Sequence, residues 1–129
     1  MVRSLMQVSR LVLDGRAAML DRRPADAARI FAEAAQVQER SLKTFTDPPL
    51  YWYPVRRSLA AADLAAGRPA DAAREAQAVL ARTPNDAMAL LVLARADRAL
   101  GQGPDADKAL ADARKAWRGD LPELGPAGV

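Results

Sequence analysis

Arg23–Arg29 reads RPADAAR, and Arg68–Arg74 reads RPADAAR again, letter for letter. Proline at 24 and at 69 suits the first turn of a helix, where its missing N–H leaves no bond unmade. Asp26 and Asp71 fall in that same first turn, where a negative charge meets the helix dipole favourably. The heptapeptide therefore reads as one helix start written twice.

The chain around it is made for helices. It has 129 residues and a net charge of +3, and 30 of its residues are alanine, which gives up no side-chain entropy in a helix. That length suits one domain with one core. It contains no cysteine and no histidine. Disulfides, the usual zinc sites, thiol nucleophiles and imidazole bases are thereby excluded. The sequence pI near 9.8 follows from a small excess of arginine. The positive charges are spread along the chain among acids, which disfavours a nucleic-acid partner. The longest apolar run, Ala87–Ala94, is far short of the roughly 18–20 residues of a membrane span. The opening MVRSLMQVSRLVLDG is too broken by polar residues for a signal peptide. Without a leader or a span, a cytoplasmic location is expected.

A second alignment sets the period. GRPADAAREAQAVLARTPND (Gly67–Asp86) lines up with GQGPDADKALADARKAWRGD (Gly101–Asp120) at an offset of 34 residues. Leu59 meets Leu93 and Ala60 meets Ala94 at the same offset. A fixed period of this length marks a helix–turn–helix repeat. Six helices are expected, over about 4–21, 24–43, 54–66, 70–82, 86–99 and 104–118, with Gly67 and Gly101 as left-handed caps. Thr83-Pro84-Asn85-Asp86 reads as helix stop, turn and new cap.

These residues resemble the tetratricopeptide repeat (TPR) family. One repeat supplies Leu59, Ala60, Gly67, Ala72, Ala76, Val79 and Pro84 at the motif's positions. The next supplies Leu90, Leu93, Ala94, Gly101, Ala106, Leu110 and Ala113, with Arg118 where proline would stand. The first supplies Leu11, Gly15, Ala27, Phe31 and Ala34, but has Asp14 where leucine is expected and Arg22 where glycine is expected. The resemblance implies an all-α fold, an α-α superhelix (TPR solenoid) of about three helix-turn-helix repeats. It implies a single domain over 1–120, with repeats at about 8–41, 53–86 and 87–120. Ala27, Ala72 and Ala106 are then the close-contact points between paired helices. The Ala/Arg-rich composition points to a bacterial TPR protein, and the chain reads as the C-terminal part of a longer one.

The two heptapeptides lie 45 residues apart, so eleven residues have been added between the first two repeats. The second helix is expected to run long toward Lys43, followed by a Pro-rich loop at about 44–54. That stretch holds four of the six aromatics. Two readings stand for Tyr51, Trp52 and Tyr53: the rings plug the gap between repeats, or at least one stacks on a ligand. Trp117 is expected to seal the lower edge of the core.

In the TPR family the first helices of successive repeats line a concave groove that takes peptides. Carried over, the groove positions are Val12, Arg16 and Met19; Arg57, Ala61 and Leu64; and Met88, Leu91, Arg95 and Arg98. Four arginines beside apolar residues suit an acidic, partly apolar protein or peptide segment; the other reading has them solvated or paired with Asp63 and Asp97. The carboxylate clamp of chaperone-binding members is missing, because its positions hold Val12, Arg16, Ser58, Met88 and Val92. Neither a cofactor nor a metal is expected, and no catalysis: Gly101-Gln-Gly103 is followed by Pro104 and follows no strand, so it is not a nucleotide loop. The function expected is a non-catalytic interaction module, a scaffold or adaptor. The alternatives are a self-associating assembly element and a helical accessory domain of a larger protein.

The two ends differ. Leu5, Met6, Val8, Leu11, Val12, Leu13, Met19 and Leu20 spread round more than half of the first helix. A one-sided neighbour needs less, so this helix is expected to be covered, by preceding chain, by a partner or by a second copy in a homo-oligomer. The last helix turns a polar face outward, and 121–129 reads as a flexible Pro/Gly-rich tail.

Overall fold

The computed structural model describes residues 2–42 and 53–120. Within them the protein is all helical, with six α-helices and no strand. They are α1 (Val2–Leu20), α2 (Pro24–Val37), α3 (Val55–Ala65), α4 (Pro69–Leu80), α5 (Ala87–Ala99) and α6 (Gly103–Ala116). Each helix packs on the next in sequence, and α3 also packs on α5. Tyr51, Trp52, most of the expected 44–54 loop and the tail 121–129 lie outside the described residues.

One turn is built three times. After α1, the Arg23 N–H donates to Ala18 O at 2.8 Å and the Arg22 N–H to Met19 O at 3.0 Å. After α3, Arg68 donates to Asp63 O at 2.9 Å and Gly67 to Leu64 O at 3.1 Å. After α5, Gln102 donates to Asp97 O at 2.8 Å and Gly101 to Arg98 O at 3.1 Å. This is the Schellman pattern, which satisfies the last carbonyls of a helix and needs a left-handed residue. That residue is Gly67 at φ 76°, Gly101 at φ 77° and, in the first hairpin, Arg22 at φ 58°. The next helix then starts with Pro24, with Pro69 or, one residue in, with Pro104. Between α4 and α5, Asp86 caps α5 by accepting from the Ala89 N–H at 3.0 Å.

The paired helices approach through small residues. Ala27, Ala72 and Ala106 are completely buried, at 0% exposure each. In the first hairpin the close approach is sharper. A Cβ on Gly15 would sit 2.6 Å from the Phe31 ring, so glycine there makes room for the largest fully buried side chain. In the second hairpin both partners are small, and Ala60, Ala72 and Ala76 share one apolar cluster with Val92 and Ala96.

The second helix does run long: its α-helical part ends at Val37 and a π-helical turn, Gln38–Leu42, carries it on. Gln38 and Glu39 make contacts from that turn, described below. One expectation needs correction. Trp117 does not seal the core. It stands at the C-cap of α6 in extended backbone (φ −100°, ψ 139°), which swings it off the helix and leaves it 38% exposed.

Candidate functional site

The ten groove positions fall on α1, α3 and α5, but they are not equally available. Val12, Met88 and Leu91 are buried at 5%, 7% and 4% exposure and serve the packing between helices. Met19, Ala61 and Leu64 are half-buried, as are Arg16 and Arg57. Arg95 and Arg98 are exposed. The open part of this face is therefore a short apolar strip flanked by arginines.

Two of those arginines grip an aromatic ring. Tyr53 is buried in the first apolar cluster, beside Val12, Phe31 and Leu59. The Arg16 guanidinium lies 5.7 Å from its ring centroid and the Arg57 guanidinium 5.3 Å. Such contacts contribute about 0.5–2 kcal/mol each, more as the site dries out. Tyr53 thus fills the space between the first two hairpins and meets groove arginines of α1 and α3. Tyr51 and Trp52 lie outside the described residues. Arg57 also donates through Nη1 to both carboxylate oxygens of Asp86, at 3.1 and 3.2 Å. Asp86 therefore does two jobs: it caps α5 and it anchors the arginine of α3.

The chain is locked where it returns from the insertion. The Gln38 side chain donates to Tyr53 O at 2.8 Å and accepts from the Val55 N–H at 2.9 Å. One amide from the π-helical turn thereby satisfies a free donor at the start of α3. Arg56, next along α3, donates to both oxygens of Glu39 at 2.8 and 2.9 Å and reaches Glu75 on α4. Glu39 first and Glu75 second hold this guanidinium's pKa above its ordinary value despite its partial burial. Removing one partner of such a network leaves a half-buried charge unanswered, at a cost of about 1–3 kcal/mol.

The groove arginines are not paired with Asp63 or Asp97. Asp63 is taken by Arg68, Arg57 goes to Asp86, and Arg98 reaches Asp107 on α6 at 2.9 Å. Arg16 and Arg95 have no acidic partner among the described residues. Asp63 and Asp97 are both buried, and burial pushes each carboxyl above its ordinary value; Arg68 works against this at Asp63, while Asp105 adds to it at Asp97. Among the described residues no group of three acidic side chains is placed to hold a metal ion. None of the described helices is long and apolar enough to cross a membrane.

The roles of Gln38 and Asp86 were not visible in the chain. Gln38 carries no motif, and its partners lie across an insertion of unrelated composition. Asp86 announces itself only as a cap. No protein-family model matches the chain, and neither a curated protein nor a solved structure matches it.

Proposed function

We propose that this chain is a non-catalytic protein-interaction module of the tetratricopeptide type, a scaffold or adaptor. Its hairpins nest into an open superhelix, and a peptide lies along the face made by α1, α3 and α5. The observation that supports it is the turn repeated after α1, α3 and α5 with matching hydrogen bonds. Repeating one turn repeats one hairpin angle, and hairpins at a constant angle stack into a curved array with one face shared by the leading helices. The contact of α3 with α5 agrees with that arrangement.

On this reading the ligand is acidic and partly apolar. Its apolar side chains meet Met19, Ala61 and Leu64, and its carboxylates meet Arg16, Arg95 and Arg98. Each exposed pair contributes only about 0.2–1 kcal/mol, so the affinity is modest and falls with salt. The test is selection from a displayed library of acidic peptides, followed by titration of the wild type and of an Arg95→Glu/Arg98→Glu variant. Weaker binding by the variant, and by the wild type at high salt, is the expected result. Selected peptides that bind both proteins equally at all salt concentrations would remove the groove arginines from the account. Arg57 is left intact because it holds Tyr53 and Asp86.

A second reading rests on α1. Val2, Met6, Leu13 and Leu20 are 63–68% exposed. At 100° per residue they fall within about 40° of one another, a single apolar seam. Such a seam suits a second copy of the chain. Sedimentation against concentration decides it: a dimer lost on Leu13→Glu supports self-association, and a monomer at every concentration removes it.

A further inference from the structure

The second hairpin pairs a buried aspartate with an exposed arginine. Asp63 accepts from Arg68 through Nε at 3.1 Å and Nη2 at 2.8 Å. The repeat places Asp97 and Gln102 at the same two positions. The backbone is the same as well, since Arg68 has φ −116°, ψ 67° and Gln102 has φ −94°, ψ 66°. The third hairpin has kept the carboxylate and lost its cation.

Asp97 is nevertheless 5% exposed, and no hydrogen-bond donor meets its carboxylate among the described residues. Leaving a buried charge without a partner is costly. The carboxylate is not sealed in, however. It lines a cleft of about 460 Å³ between α4, α5 and α6, whose lining includes Leu80, Leu90, Leu93, Gln102 and Asp105. The one lysine on this cleft, Lys108, is held by Asp112 at 2.8 Å, so it does not answer Asp97.

We propose that this cleft binds the arginine side chain of a partner polypeptide, whose guanidinium takes the place on Asp97 that Arg68 holds on Asp63. The internal repeat supplies the template for the geometry. A guanidinium presents two parallel donors to one carboxylate, which an ammonium does not. The leucine walls suit the apolar stem of arginine, which buries its methylenes and keeps its head on the charge. Asp105 gives the cleft a second negative charge. At 100° per residue the cleft's Leu90, Leu93 and Asp97 fall on the flank of α5 away from Arg95, so the cleft does not depend on the groove reading.

The probe is N-acetyl-arginine amide, followed by NMR at the Asp97 carboxyl carbon and at the amides of Leu93 and Gln102. Saturable shifts are expected in the wild type, with affinity reduced about tenfold or more in Asp97→Asn. Gln102→Arg supplies the guanidinium from within the chain. It is expected to abolish binding and to move the Asp97 carboxyl titration downward. This variant adds a pair and keeps Asp97, so it tests the site independently of Asp97→Asn. N-acetyl-lysine amide binds more weakly, and so does free arginine, whose charged α-amino and α-carboxyl groups replace the neutral peptide groups of a polypeptide. Undiminished binding to Asp97→Asn or Gln102→Arg, or no binding to the wild type, would overturn the proposal. Tighter binding of the lysine compound would overturn the guanidinium, and tighter binding of free arginine would overturn the polypeptide source.

Discussion

The second and third hairpins share one turn and differ in the side chain that it sets beside a buried aspartate. Both turns close with the same pair of hydrogen bonds and a left-handed glycine, and both bury an aspartate on the leading helix. In one, Arg68 folds back onto that aspartate; in the other, Gln102 stands in its place. The first hairpin completes the series, with Arg23 at the arginine position and Ala18 at the aspartate position; Arg23 turns outward to Asp21 and Asp26. The turn's geometry is therefore held by backbone bonds and by glycine. The side chain five residues on is free to neutralise a charge or to leave it for something else.

The strongest way to break this comparison is Arg68→Gln, which gives the second hairpin the third's side chain at that one position. It leaves Asp63 buried and unanswered, and urea denaturation should show a loss of about 1–3 kcal/mol. An unchanged midpoint would mean that the pair contributes nothing. Gly67→Ala and Gly101→Ala sharpen the claim that the backbones match. Neither added Cβ meets another atom within 4 Å, so only the left-handed backbone is penalised. Both should cost about 1 kcal/mol, and by the same amount. Unequal losses would show that the two turns are not equivalent.

The pH dependence separates the hairpins further. Asp97 titrates above 3.8 in the folded chain because burial disfavours its charged form, and Asp105 adds to this. The folded state therefore holds the proton more tightly than the unfolded chain. Asp97 contributes its full stability below pH 3.8 and loses it as pH rises through the folded value. Asp97→Asn should raise thermal stability near neutral pH, and the gain should vanish toward pH 3.8. A gain independent of pH would exclude titration as the cause. The smallest effect is expected in the first hairpin. Arg22 holds a left-handed conformation without being glycine. Arg22→Gly should stabilise the chain by about 0.5 kcal/mol, and a loss would mean that the arginine side chain contributes more than its backbone costs.

Much of the fold was legible because its signals are local. Proline at 24 and 69, glycine at 67 and 101 and the cap at Asp86 mark helix ends directly, and the helices stand where these residues put them. The long-range contacts were not legible. Nothing local ties Gln38 to residues 53 and 55, and nothing in their spacing sends Arg57 to Asp86 rather than Asp63. The groove positions come from alignment, but alignment does not report burial, and Val12, Met88 and Leu91 are buried. The mismatch of Asp97 with Gln102 lay open in the aligned repeats. Its meaning needed the second hairpin's ion pair, a side-chain contact that spacing alone does not reveal.

The interaction reading meets its most direct test in an amide NMR map of the chain titrated with a selected acidic peptide. The account predicts shifts concentrated at Met19, Ala61, Leu64, Arg95 and Arg98, on the leading helices of the three hairpins. Shifts confined to α2, α4 and α6 would contradict it.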